Sequence, residues 1–152
     1  MSRWIGSVRG ATIASVQAFS LSRYRVVPDP REAEFFGATD LAVPIIDGTP
    51  LFAIVGDRYP GVAVGLVAPP SRHWFGNVRY GEDGRAVVLD CICGHAACCG
   101  VFGRIAVEGD AVVWSDFCAR GVPELPRGLH FEFDRPTYET AIIGICELHP
   151  VE

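Results

Sequence analysis

The chain contains no lysine: all 13 of its basic residues are arginine. That absence removes lysine chemistry, because neither a Schiff base nor the phosphate-binding lysine of a P-loop can be built without an ammonium side chain. Pyridoxal enzymes and P-loop nucleotide hydrolases are excluded. The uniform use of arginine reads as codon usage in a GC-rich genome, not as a mechanism. Basic charge is scarce as well. Thirteen arginines face 18 acidic residues, for a formal net charge of −5, so the summed field repels phosphate backbones and nucleic acid is not an expected partner. Long apolar runs are also missing. The longest, Val62–Pro70, ends in Pro69-Pro70 and is far shorter than the roughly 20 residues a helix needs to cross a bilayer. Near the start, Ser7, Arg9, Ser15 and Gln17 interrupt what would have to be a continuous apolar stretch in a secretory signal. These absences lead to the expectation of a soluble, cytoplasmic protein with no membrane partner.

What is present fits one folded unit over residues 1–152. A chain of 152 residues, 49% apolar and 20% charged, is large enough to bury roughly two thirds of the surface it exposes when unfolded. No internal repeat or low-complexity segment appears. Short apolar and polar alternation over Ala11–Phe19 and Tyr24–Val27 predicts early strands, and Arg31–Phe36 is at most one or two helical turns before Gly37. Leu41–Ile46 and Leu51–Val55 flank Asp47-Gly48, a pair that tolerates the positive φ of a tight turn, so a hairpin is expected. Pro44 cannot donate a ladder hydrogen bond and should push its strand to a sheet edge. A strand over Val62–Val67 and a loop at Ser71-Arg72-His73-Trp74 come next. Ala86–Cys93, Val101–Val107 and Ala111–Phe117 then read as a three-strand meander, the last two joined by a turn at Glu108-Gly109-Asp110. A short strand follows over Leu129–Phe133. Asp134 offers an N-cap, and Tyr138, Ala141, Ile142, Ile145 and Leu148 fall on one helical stripe. The fold class is therefore α+β: a mainly antiparallel sheet with a C-terminal helix packed on it.

The chemistry is concentrated in cysteine. Four of the six cysteines lie in Cys91-Ile-Cys93-Gly-His95-Ala-Ala-Cys98-Cys99. If Ala86–Cys93 is a strand, a period of two puts Val87, Leu89, Cys91 and Cys93 on one face. Gly94 turns the chain and Cys98 returns near Cys93. Cys118, two strands later, should arrive at the same end of the sheet. Four thiolates there make a zinc site with Cys91, Cys93, Cys98 and Cys118 as ligands. Other readings stay open: buried, inert thiols, since free cysteine is among the most buried residue types; a redox pair such as Cys93 with Cys98; or a cysteine nucleophile served by His95 or His73, with Asp90 or Asp116 as orienter. A reducing compartment argues against a disulfide framework.

The segment from about Ser71 to Ala141 carries a combination of motifs: Cys91-x-Cys93-Gly94-x3-Cys98, an apolar strand with Arg104, Val107-Glu108-Gly109-Asp110, Val113-Trp114-Ser115-Asp116-Phe117, and Phe133-Asp134-Arg135 with Tyr138. It resembles a family of small uncharacterised bacterial proteins that read Cys-Gly-Cys-Gly, three residues, Cys-Trp, and then Trp-Ser-Asp-Phe. The resemblance implies that Cys91, Cys93 and Cys98 are the family's trio. Cys99 stands where the pattern has tryptophan, and Cys118 and His95 fall outside it. The family brings no activity with it.

The remaining candidates have simpler readings. Trp114 should be in the core with Asp116 making a local turn hydrogen bond, and Trp74 should anchor its loop by burial. His130 and His149 are expected at the surface or capping a helix. The function expected is a non-enzymatic interaction or regulatory domain with a protein partner, its cysteine cluster structural, as zinc ligands or buried thiols. The alternative is a thiol redox or metal-handling protein using the same residues.

Overall fold

The computed structural model describes residues 3–4, 15–26, 39–56, 61–64, 67, 69–77, 81–90, 100–120 and 125–148. A two-residue strand β1 (Arg3–Trp4) pairs with β2 (Ser15–Val16). β3 (Phe19–Val26) and β4 (Thr39–Ile46) then pair antiparallel from end to end. Asp47 and Gly48 both take positive φ, 51° and 80°, as the sequence led one to expect, and reverse the chain into β5 (Thr49–Pro50). The second arm of this hairpin is only those two residues. Leu51–Val55 is not a strand but a short helix, α1, started by Pro50 and stopped by Gly56 in the left-handed region. β6 (Val62–Ala63) returns to β4 and is all that the structure describes as strand in Val62–Val67. The stretch expected to be a loop at Ser71–Trp74 is largely a helical turn, α2 (Pro70–His73), opened by the fixed φ of Pro70 at its first position.

Pro44 does not mark an edge. β4 lies between β3 and β5/β6, and Pro44 falls between Leu41-Ala42, which pair with β6, and Ile45-Ile46, which pair with β5. One flank of the strand is unpaired at that position, so the proline is tolerated inside the sheet.

The second sheet is the predicted meander with a strand added on each side. Its order is β11-β10-β9-β8-β7, made of β7 (Gly81–Glu82), β8 (Arg85–Asp90), β9 (Gly100–Glu108), β10 (Ala111–Arg120) and β11 (Phe131–Asp134), all antiparallel. The two sheets are joined at both sides. Gln17 lies against β11, its N–H donating to the Glu132 carbonyl and its side-chain Oε1 accepting from the Glu132 N–H, each at 2.8 Å. On the other side the Asp90 N–H donates to the Gly61 carbonyl, just before β6. The two sheets are thus linked through residues just outside the named strands, Gln17 before β3 and Gly61 before β6.

Inside lies an aromatic core of Phe19, Trp74, Trp114, Phe133 and Tyr138. Trp74 stacks on Trp114 at 5.8 Å between centroids, and Phe19 meets Tyr138 at 4.5 Å. The Tyr138 hydroxyl accepts from the Trp114 indole N–H at 3.1 Å and donates to the Trp74 carbonyl. Tyr138 belongs to α3 (Arg135–Leu148), which starts where the sequence predicts: Asp134 Oδ2 accepts from the Thr137 N–H at 3.1 Å and from its hydroxyl at 2.6 Å. Tyr138, Ile142 and Ile145 form the buried stripe. The fold is α+β, mostly antiparallel sheet with this C-terminal helix packed on it. Among the described residues no helix is long and apolar enough to cross a membrane.

Candidate functional site

Strand pairing fixes which side chains share a face, because paired residues lie together and successive residues alternate. Ile105 pairs with Trp114, and Trp114 with Phe131, so these line the inner, aromatic face. Arg104 pairs with Ser115 on the outer face. Regular alternation from Trp114 would bring Asp116 and Cys118 inward. It is interrupted: the register shifts between Ser115 and Cys118, and Asp116 takes φ +54°. This one-residue bulge turns Phe117 inward, where its ring packs on Phe131 and occupies the space a Cβ would need at Gly103. Cys118 is carried to the other face, opposite the fully buried Phe102, where it packs against the hydrophobic core.

A second bulge corrects the expected face of β8. The register slips between Val87 and Leu89, so Val87 pairs with Phe102 on the outer face whereas Leu89 pairs with Val101 on the inner one. Val87 and Leu89 do not share a face, and β8 ends at Asp90. Cys91, Cys93, His95, Cys98 and Cys99 lie outside the described residues. What the sheet does define is where their segment begins and ends. Asp90 and Gly100 are direct partners, and Arg120 lies opposite Gly100 on β10. Cys118 is two residues in from that row and on the same outer face as Asp90, about 7 Å along the strand at the usual rise. The expectation that Cys118 arrives at this end of the sheet is met. Among the described residues no group of three metal-ligating side chains occurs.

The Asp116 bulge is held by charge. Asp116 Oδ2 accepts from Arg85 Nη2 at 3.0 Å and from Arg104 Nη2 at 3.2 Å, and the Asp116 carbonyl accepts from Arg85 Nε at 2.7 Å. This replaces the local turn hydrogen bond expected for Asp116. The Arg85 hydrogen bond, followed by that of Arg104, holds the Asp116 carboxyl below the usual carboxylate range, and the same contact to Asp116 raises the Arg85 guanidinium. Cys118 lies within Coulombic reach of Arg85. The Cys118 side chain is half-buried. Asp90, the residue that leads into the cysteine segment, is 3% exposed.

His73 is committed elsewhere. It is 3% exposed, and its Nε2–H donates to the Val87 carbonyl at 2.8 Å, tying α2 to the outer edge of β8. A carbonyl can only accept, which sets the tautomer. Burial lowers its pKa to about 4 against the raising effect of that hydrogen bond, so it is neutral near pH 7 and poorly suited to act as a base. Trp74 is fully buried beside it, as expected. His130 is exposed, and His149 lies outside the described residues. A cleft of about 170 Å³ lies at the seam of the two sheets, lined by Val16, Gln17, Phe19, Phe133, Asp134 and Thr137 among others. It is smaller than the few hundred Å³ typical of small-molecule sites.

Sequence reasoning missed the two bulges and the arginine pair that fixes one of them. The signal was faint: an aspartate in the middle of an apolar strand is a residue that tolerates the left-handed region. No family model, no curated protein and no solved structure matches the chain.

Proposed function

We propose that this chain is a non-enzymatic interaction or regulatory domain of the bacterial cytoplasm, with a protein partner, in which one zinc ion held by Cys91, Cys93, Cys98 and Cys118 organises the connection between β8 and β9. The supporting observation is the register: the segment bearing three of these cysteines leaves and re-enters the sheet at Asp90 and Gly100, and the bulged β10 presents Cys118 on the outer face beside that row. Four thiolates at about 2.3 Å from one ion form a closed tetrahedral structural site with no open position for substrate. The free energy of binding such an ion adds directly to the stability of the fold. Alkylation of the native chain tests this. The four thiols are expected to resist modification until a chelator is added and then to react together; six thiols that appear only on unfolding would instead make the cluster simple core packing.

A second reading is thiol redox or metal handling by the same residues, with the Arg85 guanidinium contributing positive potential in the neighbourhood of Cys118. A neighbouring guanidinium favours a reactive thiolate. Rapid alkylation of Cys118 in the native chain without chelator would select this reading over the structural one.

A further inference from the structure

We propose that the cleft at the seam of the two sheets receives an arginine side chain of a protein partner, its stem against Phe19 and Phe133 and its guanidinium at the Asp134 carboxylate. The inference rests on the reading of the chain as an interaction domain and not on the zinc. Beside the isolated bridge between Gln17 and Phe133 the sheets part, and the gap is about 170 Å³. That is room for one side chain and too little for a cofactor, and pockets that take one anchoring side chain are where interfaces concentrate their energy. The floor is apolar and aromatic: Val16, Phe19 and Phe133 are buried, with the two rings 4.8 Å apart between centroids. The rim is polar. Gln17 and Asp134 are half-buried there, and Ala18 and Thr137 are exposed. Asp134 caps α3 through Thr137, and a carboxylate can accept from several donors at once, so capping and guanidinium binding are compatible. A second carboxylate stands behind the opposite wall, where Asp47 Oδ1 accepts from the Ala18 N–H at 2.8 Å. The neighbouring cation, Arg135, is directed elsewhere, to Glu139 Oε1 at 3.1 Å and the Gly109 carbonyl at 3.4 Å. An apolar floor beneath a carboxylate rim, on a chain of net charge −5, is complementary to a basic side chain with a long stem. Arginine fits better than lysine, because its planar, weakly hydrated head packs on aromatic rings and meets a carboxylate with two donors.

The test is a titration of the isotope-labelled full chain, followed by amide chemical shifts, with a blocked glycyl-arginyl-glycine peptide and with the same peptide carrying citrulline or leucine at its centre. Citrulline keeps the shape of arginine and removes the charge. The arginine peptide is expected to give saturable shifts at Gln17, Ala18, Asp134 and Thr137, and to bind about fivefold more tightly than the citrulline peptide, since a half-exposed ion pair and a ring contact each add a modest factor. Asp134→Asn keeps a good N-cap, so it should fold as the wild type does while lowering the arginine peptide to the citrulline affinity. Molar salt applied to the wild type should also narrow the gap between the two peptides, and it serves if the variant does not fold. Equal binding of the three peptides, or an arginine affinity unchanged in Asp134→Asn, overturns the guanidinium assignment but leaves an apolar docking cleft in an interaction domain. Shifts of the same amides on concentrating the protein alone put a second copy in the cleft and overturn the inference. The absence of saturable shifts with any of the peptides overturns the inference together with the interaction reading of this face.

Discussion

Replacing Tyr138 with phenylalanine removes one oxygen from the centre of the core and changes almost nothing else in shape. In the wild type that hydroxyl accepts from the Trp114 indole N–H at 3.1 Å and donates to the Trp74 carbonyl, and all three residues are fully buried. The variant loses two hydrogen bonds and leaves a buried donor on Trp114 and a buried acceptor on Trp74 facing a ring edge. Each net hydrogen bond is worth about 1 kcal/mol, and each stranded buried group costs roughly 1–3 kcal/mol. The two ways of counting overlap, so the expected loss is about 2–5 kcal/mol. For a domain of this size that is a fall in Tm of roughly 5–15 °C. Urea denaturation followed by circular dichroism and by tryptophan fluorescence, with an unchanged m value, measures it. The same burial raises the Tyr138 pKa well above the usual tyrosine value, so one of the four tyrosines should fail to ionise in an alkaline absorbance titration until the protein unfolds. A stability change below about 0.5 kcal/mol, or four tyrosines titrating together in the folded state, would refute the view that α3, β10 and α2 are locked through this hydroxyl.

Two further substitutions probe the frame around the site. His73 has a folded pKa of about 4 against 6.5 when free, so the unfolded chain binds the proton more readily. Its contribution is complete above pH 6.5 and is lost as the pH falls from 6.5 to about 4, by up to about 3 kcal/mol. His73→Gln, which retains an N–H donor but does not titrate, should flatten that part of the stability–pH curve; an unchanged slope contradicts the assignment. Asp134→Ala removes the N-cap of α3 and should cost about 1 kcal/mol in chemical denaturation, and no measurable change would mean that Thr137 caps the helix without it.

The elements legible in the sequence are those whose signals are local and of one kind. The Asp134 cap and the Tyr138–Ile145 stripe specify α3 directly, and Asp47-Gly48 specifies its turn because both positions need positive φ. β8 was harder. Ala86, Val87, Val88, Leu89 and Asp90 are all buried, so both faces of the strand are covered and alternation carries no phase. Nothing in such a run shows that Val88 is a bulge or that Val87 and Leu89 face opposite ways. Leu51–Val55 failed for a related reason, since a five-residue apolar run fits strand or helix equally; the flanking Pro50 and Gly56 held the deciding information. At the candidate site, the sequence shows the cysteines and the strand order that brings Cys118 to their end of the sheet. It does not show the parity of Cys118, which depends on pairing between Asp116 and two arginines 31 and 12 residues away along the chain.

The most direct test of the account is the metal content of the untagged full-length chain, measured by inductively coupled plasma mass spectrometry after purification without chelator. The account predicts about one zinc per chain in the wild type and much less than one in Cys118→Ser. Metal-free protein that does not take up zinc at neutral pH would contradict it.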